Sequence, residues 1–309
     1  MKGTEFLTDE DDPIDIRIDG VFKAVFTKDT PAAKRALSKL VSALIRREIT
    51  IETILANEPP MVSMGDIQLR LDINCRAENG ELINVEMCFN PQPFEPTRME
   101  YHVAKLYTGQ DIKGKDKGYK ILKQTYQISI ISKDIFFQDE RYLHTFEYYD
   151  PVSRISLNGR TRIIALELSK LDKIAEKPTN MMSVTERWAV YLEYLTDRKR
   201  RGIINEIVSL EEGIAMASSV LLTISRDEEE RARILRAEKT ELDYIIFMGH
   251  AKEVGLAEGR EQGLQQGLEQ GLQQGREKAI LETAWKMQEI GLTAEQIKAA
   301  TGITLDIIP

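Results

Sequence analysis

Asp72 and Glu86 are the acidic residues whose placement bears most directly on chemistry. They lie in the segment LRLDINCRAENGELINVEMCF, two runs of alternating apolar and polar residues around Glu78-Asn79-Gly80. Alternation of that kind marks half-buried strands. A three-residue loop ending in glycine fits a type I turn followed by a left-handed residue and a bulge. That turn pairs Ala77 with Glu81, and counting outward sets Asn74 against Asn84, Asp72 against Glu86 and Arg70 against Cys88. The other surface is then apolar, with Leu71, Ile73 and Cys75 against Met87, Val85 and Ile83. A two-residue Asn-Gly loop shifts the pairing by one and mixes the faces, which burial disfavours.

This register places two carboxylates side by side, and directly opposed like charges destabilise a sheet. A hard divalent cation removes the repulsion. Mg²⁺ in particular takes a few carboxylates, retained waters and phosphate oxygens. Such an ion activates water and stabilises charge on a phosphodiester. The competing reading is a solvated polar face in which Arg70 and Arg76 pair with the acids.

The surrounding pattern supplies elements to position them. Asp19–Phe26 (DGVFKAVF) reads as a short helix with Phe22 and Phe26 on one side. Pro31 opens a longer helix with Leu37, Leu40, Val41, Leu44 and Ile45 at helical spacing. Residues 49–55 read as a strand, 67–77 and 81–89 as the hairpin, 96–110 as a helix and 126–131 as a buried strand. Two more strands are expected near 145–148 and 162–168. After Pro178 the pattern is helical through 184–195, 203–223 and 226–254. The expected organisation is a disordered acidic tail at 1–12, an α-β-β-β-α-β mixed-sheet domain at 13–177, a helical region at 178–254 and a glycine-repeat helical tail at 255–309.

Four segments in this order resemble the PD-(D/E)xK nuclease superfamily, more narrowly its recombination-promoting nuclease or putative transposase branch. They are DGVFKAVF, the Asp72 strand, NVEMC at 84–88, and the stretch from Arg98 through Tyr101, Tyr107, Gln110 and Tyr119 to the strand at 128–131. The resemblance implies a Mg²⁺- or Mn²⁺-dependent DNA endonuclease associated with recombination or mobile elements, with Asp72 and Glu86 as metal ligands. It makes Asp19 a candidate third acid; capping the first helix is the alternative. Lys23 is either a phosphate contact or a solvated lysine.

One position departs from the family pattern. Where that pattern has Lys or Gln two residues after the glutamate, this chain has Cys88, a weak donor. Arg70, opposite Cys88, is a substitute cation, although an arginine only orients and neutralises. A slow or inactive nucleic-acid-binding copy is therefore the rival reading, and an assembly protein acting through its C-terminal tail is a third.

Nucleic-acid contacts are expected from Lys23, Arg70, Arg98, Lys105, Lys113 and Lys115, the last three in a lysine-rich stretch after the motif helix. The formal net charge of −8 works against DNA binding except through such a local patch. No apolar run reaches the roughly 18 residues that span a bilayer, and the acidic start has no apolar core of a secretory signal. The expected location is cytoplasmic, with no membrane partner. Cys75 and Cys88 are too few for a disulfide framework, and His102, His144 and His250 lack zinc-ligand spacing.

Glycines recur every fourth residue from Gly255 to Gly275. Six glycines cost a helix roughly 5–6 kcal/mol relative to alanine. Close packing between helices offsets such a penalty, so residues 255–275 are read either as a homo-oligomer contact or as a linker.

Overall fold

The computed structural model describes residues 6–8, 10–56, 71–112, 118–133 and 136–304. Its elements in chain order are α1 (Asp19–Thr27), α2 (Pro31–Ile45), β1 (Ile51–Ile54), β2 (Ile73–Ala77), β3 (Leu82–Cys88), α3 (Glu95–Thr108), β4 (Thr125–Ile131), β5 (Leu143–Phe146) and β6 (Thr161–Glu167). Helices follow: α4 (Asp172–Ala175), α5 (Val184–Tyr194), α6 (Arg201–Leu210), α7 (Glu212–Arg226), α8 (Glu228–Glu289) and α9 (Ala294–Thr301).

The strands form one six-stranded mixed sheet in the order β1-β2-β3-β4-β6-β5. The first three strands pair antiparallel, while β3, β4 and β6 run parallel. The expected mixed α/β core is therefore present, followed by a helical C-terminal region.

The hairpin has the register that its sequence dictates. Ile73 faces Val85, Asn74 faces Asn84 and Cys75 faces Ile83. Gly80 has φ +84°, the left-handed conformation the turn requires, and its N–H donates to Ala77 O at 2.8 Å. A Cβ at Gly80 would also stand 3.2 Å from Lys123 Cε. A non-glycine residue in the left-handed region costs roughly 1–2 kcal/mol. Gly80→Ala is accordingly expected to lower unfolding stability by about that amount in urea titration. An unchanged midpoint would show that the turn relaxes to another type.

Alternation sorts the sheet into two faces. Ile83, Val85, Met87, Tyr126, Ile128, Ile130, Ile164 and Leu166 face the main core with α1 and α2. The opposite face carries Asn84, Glu86, Cys88, Gln127 and Ser129, all buried. Helix α3 covers it with Glu95, Met99, His102, Val103 and Leu106, one helical stripe.

Three sequence expectations change. Residues 6–12 are not a free tail where they are described. Leu7 is buried, and its backbone N–H and C=O are both held by the Asn205 amide, at 2.8 and 2.9 Å. Arg226 pairs with Asp11 at 2.9 Å. The expected helix over 203–223 is two helices, α6 and α7, with Glu211 in extended conformation between them. Of the strand expected from residue 67, the described Leu71 and Asp72 precede β2, which begins at Ile73; residues 57–70, Arg70 among them, lie outside the described residues.

Helices α5, α6 and α7 share the core of α1 and α2 through Trp188, Leu192, Ile204 and Ile214, so one compact unit runs through residue 239. The second unit begins at residue 240. It holds most of the 62-residue helix α8 and, after a turn at Gly291, α9, where Ala284 and Ile297 are buried. The glycine repeat is thus helical. Added Cβ atoms at Gly255, Gly259, Gly263, Gly267, Gly271 and Gly275 would meet nothing within 4 Å. No single helix among the described residues is long and apolar enough to cross a membrane.

Candidate active site

Glu86 lies mid-sheet on the face under α3 and is 1% exposed. A charge buried that deeply needs partners, and four residues supply them. Asn84 Nδ2 donates to its Oε1 at 3.1 Å and Gln127 Nε2 to its Oε2 at 3.0 Å. Asn84 Nδ2 also donates to Gln127 Oε1 at 2.8 Å, and Gln127 Nε2 to Ser129 Oγ at 3.0 Å. From α3, Arg98 Nη2 lies 3.5 Å from Oε2 and His102 Nδ1 lies 2.6 Å from Oε1. The imidazole contact has ion-pair length. Burial alone would raise the Glu86 pKa. The adjacent His102, then Arg98 and Asn84, outweigh it, and the net shift is downward. Glu86 is held ionised.

Asp72 is placed differently from the sequence expectation. It precedes the first residue of β2, so it does not face Glu86 across a ladder rung. Its Oδ2 instead accepts from the Met87 backbone N–H at 3.2 Å. Its Oδ1 meets Lys23 Nζ at 3.0 Å, and Lys23 reaches back one turn of α1 to Asp19 Oδ2 at 2.6 Å. The lysine is thus neither solvated nor free; it bridges two carboxylates. The Asp19 side chain does not cap α1, and its Oδ1 is buried without a partner. Burial first, then the charge of Asp19, raise the Asp72 pKa; Lys23 opposes, Glu86 adds, and the result is about 8. Lys23 itself is held protonated, because Asp72 and Asp19 outweigh the effect of its own burial.

An acid whose folded pKa lies above its unfolded value of 3.8 binds its proton more tightly in the native state. Its contribution to stability is present below pH 3.8 and is lost as pH rises through about 8. Glu86 shifts the other way, so its contribution is lost only in acid. In chelator, the Asp72 contribution to the wild-type melting temperature should therefore fall between about pH 4 and pH 8. Asp72→Asn should flatten that decline and melt higher than wild type at the alkaline end. Parallel profiles for the two proteins would sink this assignment.

Cys88 and Glu95 complete the α3 side. The Cys88 thiol donates to Glu95 Oε1 at 3.4 Å and lies 3.4 Å from Arg98 Nη2; Arg98 Nε donates to Glu95 Oε1 at 2.8 Å. Burial, followed by the charges of Glu95 and Glu86, keeps the thiol well above its ordinary pKa. Cys88 is therefore neither a thiolate nucleophile nor a base, because the thiolate is the reactive form. The cation expected from Arg70 is provided among the described residues by Arg98. Lys105, also on α3, is half-buried; Lys113 and Lys115 lie outside the described residues.

A model of the PD-(D/E)XK nuclease family transposase matches residues 16–251, most of the chain. The chain belongs to this family. No curated protein and no solved structure matches it. The match takes in α1, the whole sheet, α3 and the helices through α7. Membership in a nuclease family supports a nuclease- or transposase-like role on nucleic acid.

The sequence pattern did not single out Glu95, Gln127 or a role for His102. Glu95, Arg98 and His102 fall at i, i+3 and i+7 of one helix, a spacing that places them on a common face. Gln127 alternates with Ser129 on a strand whose other face is apolar. Both signals were present, but neither says which sheet face the helix covers.

Proposed function

We propose that this chain is a divalent-metal-dependent DNA endonuclease acting in recombination or transposition, with Asp72 and Glu86 as the metal ligands and Asp19 as a third acid. The observation that carries the reading is Lys23 joining Asp19 to Asp72, with Asp72 feeling the charges of both Asp19 and Glu86. Buried oxygen donors there outnumber the cations that reach them. The unpartnered Asp19 Oδ1 and the upward shift of the Asp72 pKa both point to negative charge in excess of the cations present. A hard, oxygen-seeking ion fits that donor set. When bound, Mg²⁺ or Mn²⁺ supplies Lewis-acid polarisation of the phosphate and a more acidic water.

The chain's own residues do the rest. Glu86 is kept ionised by His102, Asn84 and Gln127, and so is preset to accept from a cation or a water. Lys23 and Arg98 are about one-third and two-fifths exposed. They flank the acids from opposite helices, where they can hold phosphate oxygens once released from their carboxylates. Arg98 beside Cys88 places a guanidinium next to the strand position that lacks its own cation. A guanidinium orients but does not accept a proton, so turnover is expected to be slow. That same feature supports a second reading, DNA binding without cleavage.

The test is nicking of supercoiled plasmid by the full chain with Mg²⁺ or Mn²⁺, beside a binding assay in chelator. Metal-dependent nicking supports the nuclease. Binding with no nicking in either metal favours the second reading.

A further inference from the structure

Helix α3 carries a second stripe beside the one it buries. Phe94, Arg98, Tyr101 and Lys105 recur at intervals of four, three and four residues, which keeps them on one side of the helix. The Arg98 backbone N–H donates to Phe94 O at 3.1 Å, so helical spacing holds from the first of them. Phe94 is 60% exposed and Tyr101 46%. Rings left in water to that extent contribute little to folding, since that gain comes from burial. The other two members are cations, and no acid lies on the stripe.

Another ring and cation border the same strand end. Phe89 directly follows β3, and Lys133 Nζ lies 4.1 Å from the centre of its ring. The Ser132 N–H donates to Cys88 O at 3.0 Å, which sets Lys133 alongside. From α3, Arg98 Nη2 lies 3.4 Å from the Cys88 sulfur and 3.5 Å from Glu86 Oε2. Rings and cations are therefore interleaved around the end of the strand that carries Glu86.

We propose that this face binds an unpaired DNA strand, with bases stacked on Phe94 and Tyr101 and backbone phosphates held by Arg98 and Lys133. The proposal rests on the reading of this chain as one that acts on DNA, and it names the form of DNA preferred. In a duplex each base is covered by its neighbours, so exposed rings find nothing to stack on. An unpaired strand offers its base faces. Interleaved cations suit an anionic backbone better than an apolar protein partner. The surface is continuous with the proposed centre, because Arg98 belongs to both. Overall charge points the same way. Phosphate contacts dominate duplex affinity, and a chain of net charge −8 is poorly equipped to make many of them. Stacking supplies attraction that needs no positive charge.

The test is binding by the full chain in chelator, where metal-dependent cleavage is stopped. The probe is a short single-stranded oligodeoxynucleotide carrying a fluorescent purine analogue whose emission falls on stacking. A hairpin duplex of the same composition is the comparison. Wild type should bind the single strand more tightly and quench the analogue. Phe94→Ala and Tyr101→Ala should each weaken single-strand binding about 5- to 100-fold, reduce the quenching, and change duplex binding far less. Tyr101→Trp should retain both signals, because it keeps a stacking face. Both side chains lie at the surface, where truncation rarely disturbs a fold, and thermal melts check this for each variant. Equal losses on strand and duplex, or tight binding of the strand without quenching, overturns the proposal. Nicking by the wild type, with strand affinity unchanged in both alanine variants, would remove this inference and leave the nuclease. Quenching that depends on the two rings, without nicking in either metal, would do the reverse.

Discussion

Glu86→Gln should reduce metal-dependent nicking by about 10³-fold or more, and should also lower stability at neutral pH by removing the charge that His102 and Arg98 meet. The ligand contributes transition-state charge stabilisation worth several kcal/mol, and each 1.36 kcal/mol is tenfold in rate. Glutamine is nearly isosteric, so the buried space under α3 stays filled. Its neutral amide no longer carries the charge that Arg98 and Gln127 are arranged to meet. Asp72→Asn should show a similar loss of activity. It should differ in stability, because it removes a carboxyl that burial and Asp19 disfavour in its charged form. The two variants therefore separate catalysis from folding. Residual activity within tenfold of wild type in Glu86→Gln would exclude Glu86 as a metal ligand for the reaction.

Trp188→Ala should be the most damaging core change. Trp188 on α5 is fully buried, with its ring 6.2 Å from Phe26 and 6.1 Å from Tyr191. Gly213 on α7 leaves room for it; a Cβ there would lie 3.1 Å from Trp188 Cζ2. Removing such a ring costs roughly 3–5 kcal/mol through lost burial and the cavity left behind. The effect should extend to the site. The Phe26 ring packs tilted against Phe22 with centroids 4.7 Å apart, and the same helix carries Asp19 and Lys23. Urea unfolding followed by circular dichroism gives the stability, and nicking under native conditions gives the activity. A loss below about 1 kcal/mol, well short of the usual aromatic truncation, would show that α5 and α1 repack freely.

The sequence by itself determined the hairpin in detail. Its alternation and the glycine of its turn admit one register, because a slip of one residue would turn Ile73, Val85 and Met87 away from the core. It also determined that α1, α2 and α3 are helices with single apolar faces, since their periodicity is local. That hairpin register, with the order of motifs, was enough to bring Asp72 and Glu86 forward.

Tertiary structure decided the rest. Asp72 leaves the ladder to bond the Met87 backbone and meet Lys23, and nothing within its own strand dictates that choice. Leu7 and Asp11 are anchored because Asn205 and Arg226, about two hundred residues away, offer them partners. Glu95, Arg98 and His102 become a site only because α3 lies over the face that carries Glu86 and Cys88. Periodicity reports which side of an element is buried. Which buried sides meet depends on packing between elements far apart in the chain, and for this protein that packing builds both flanks of the site.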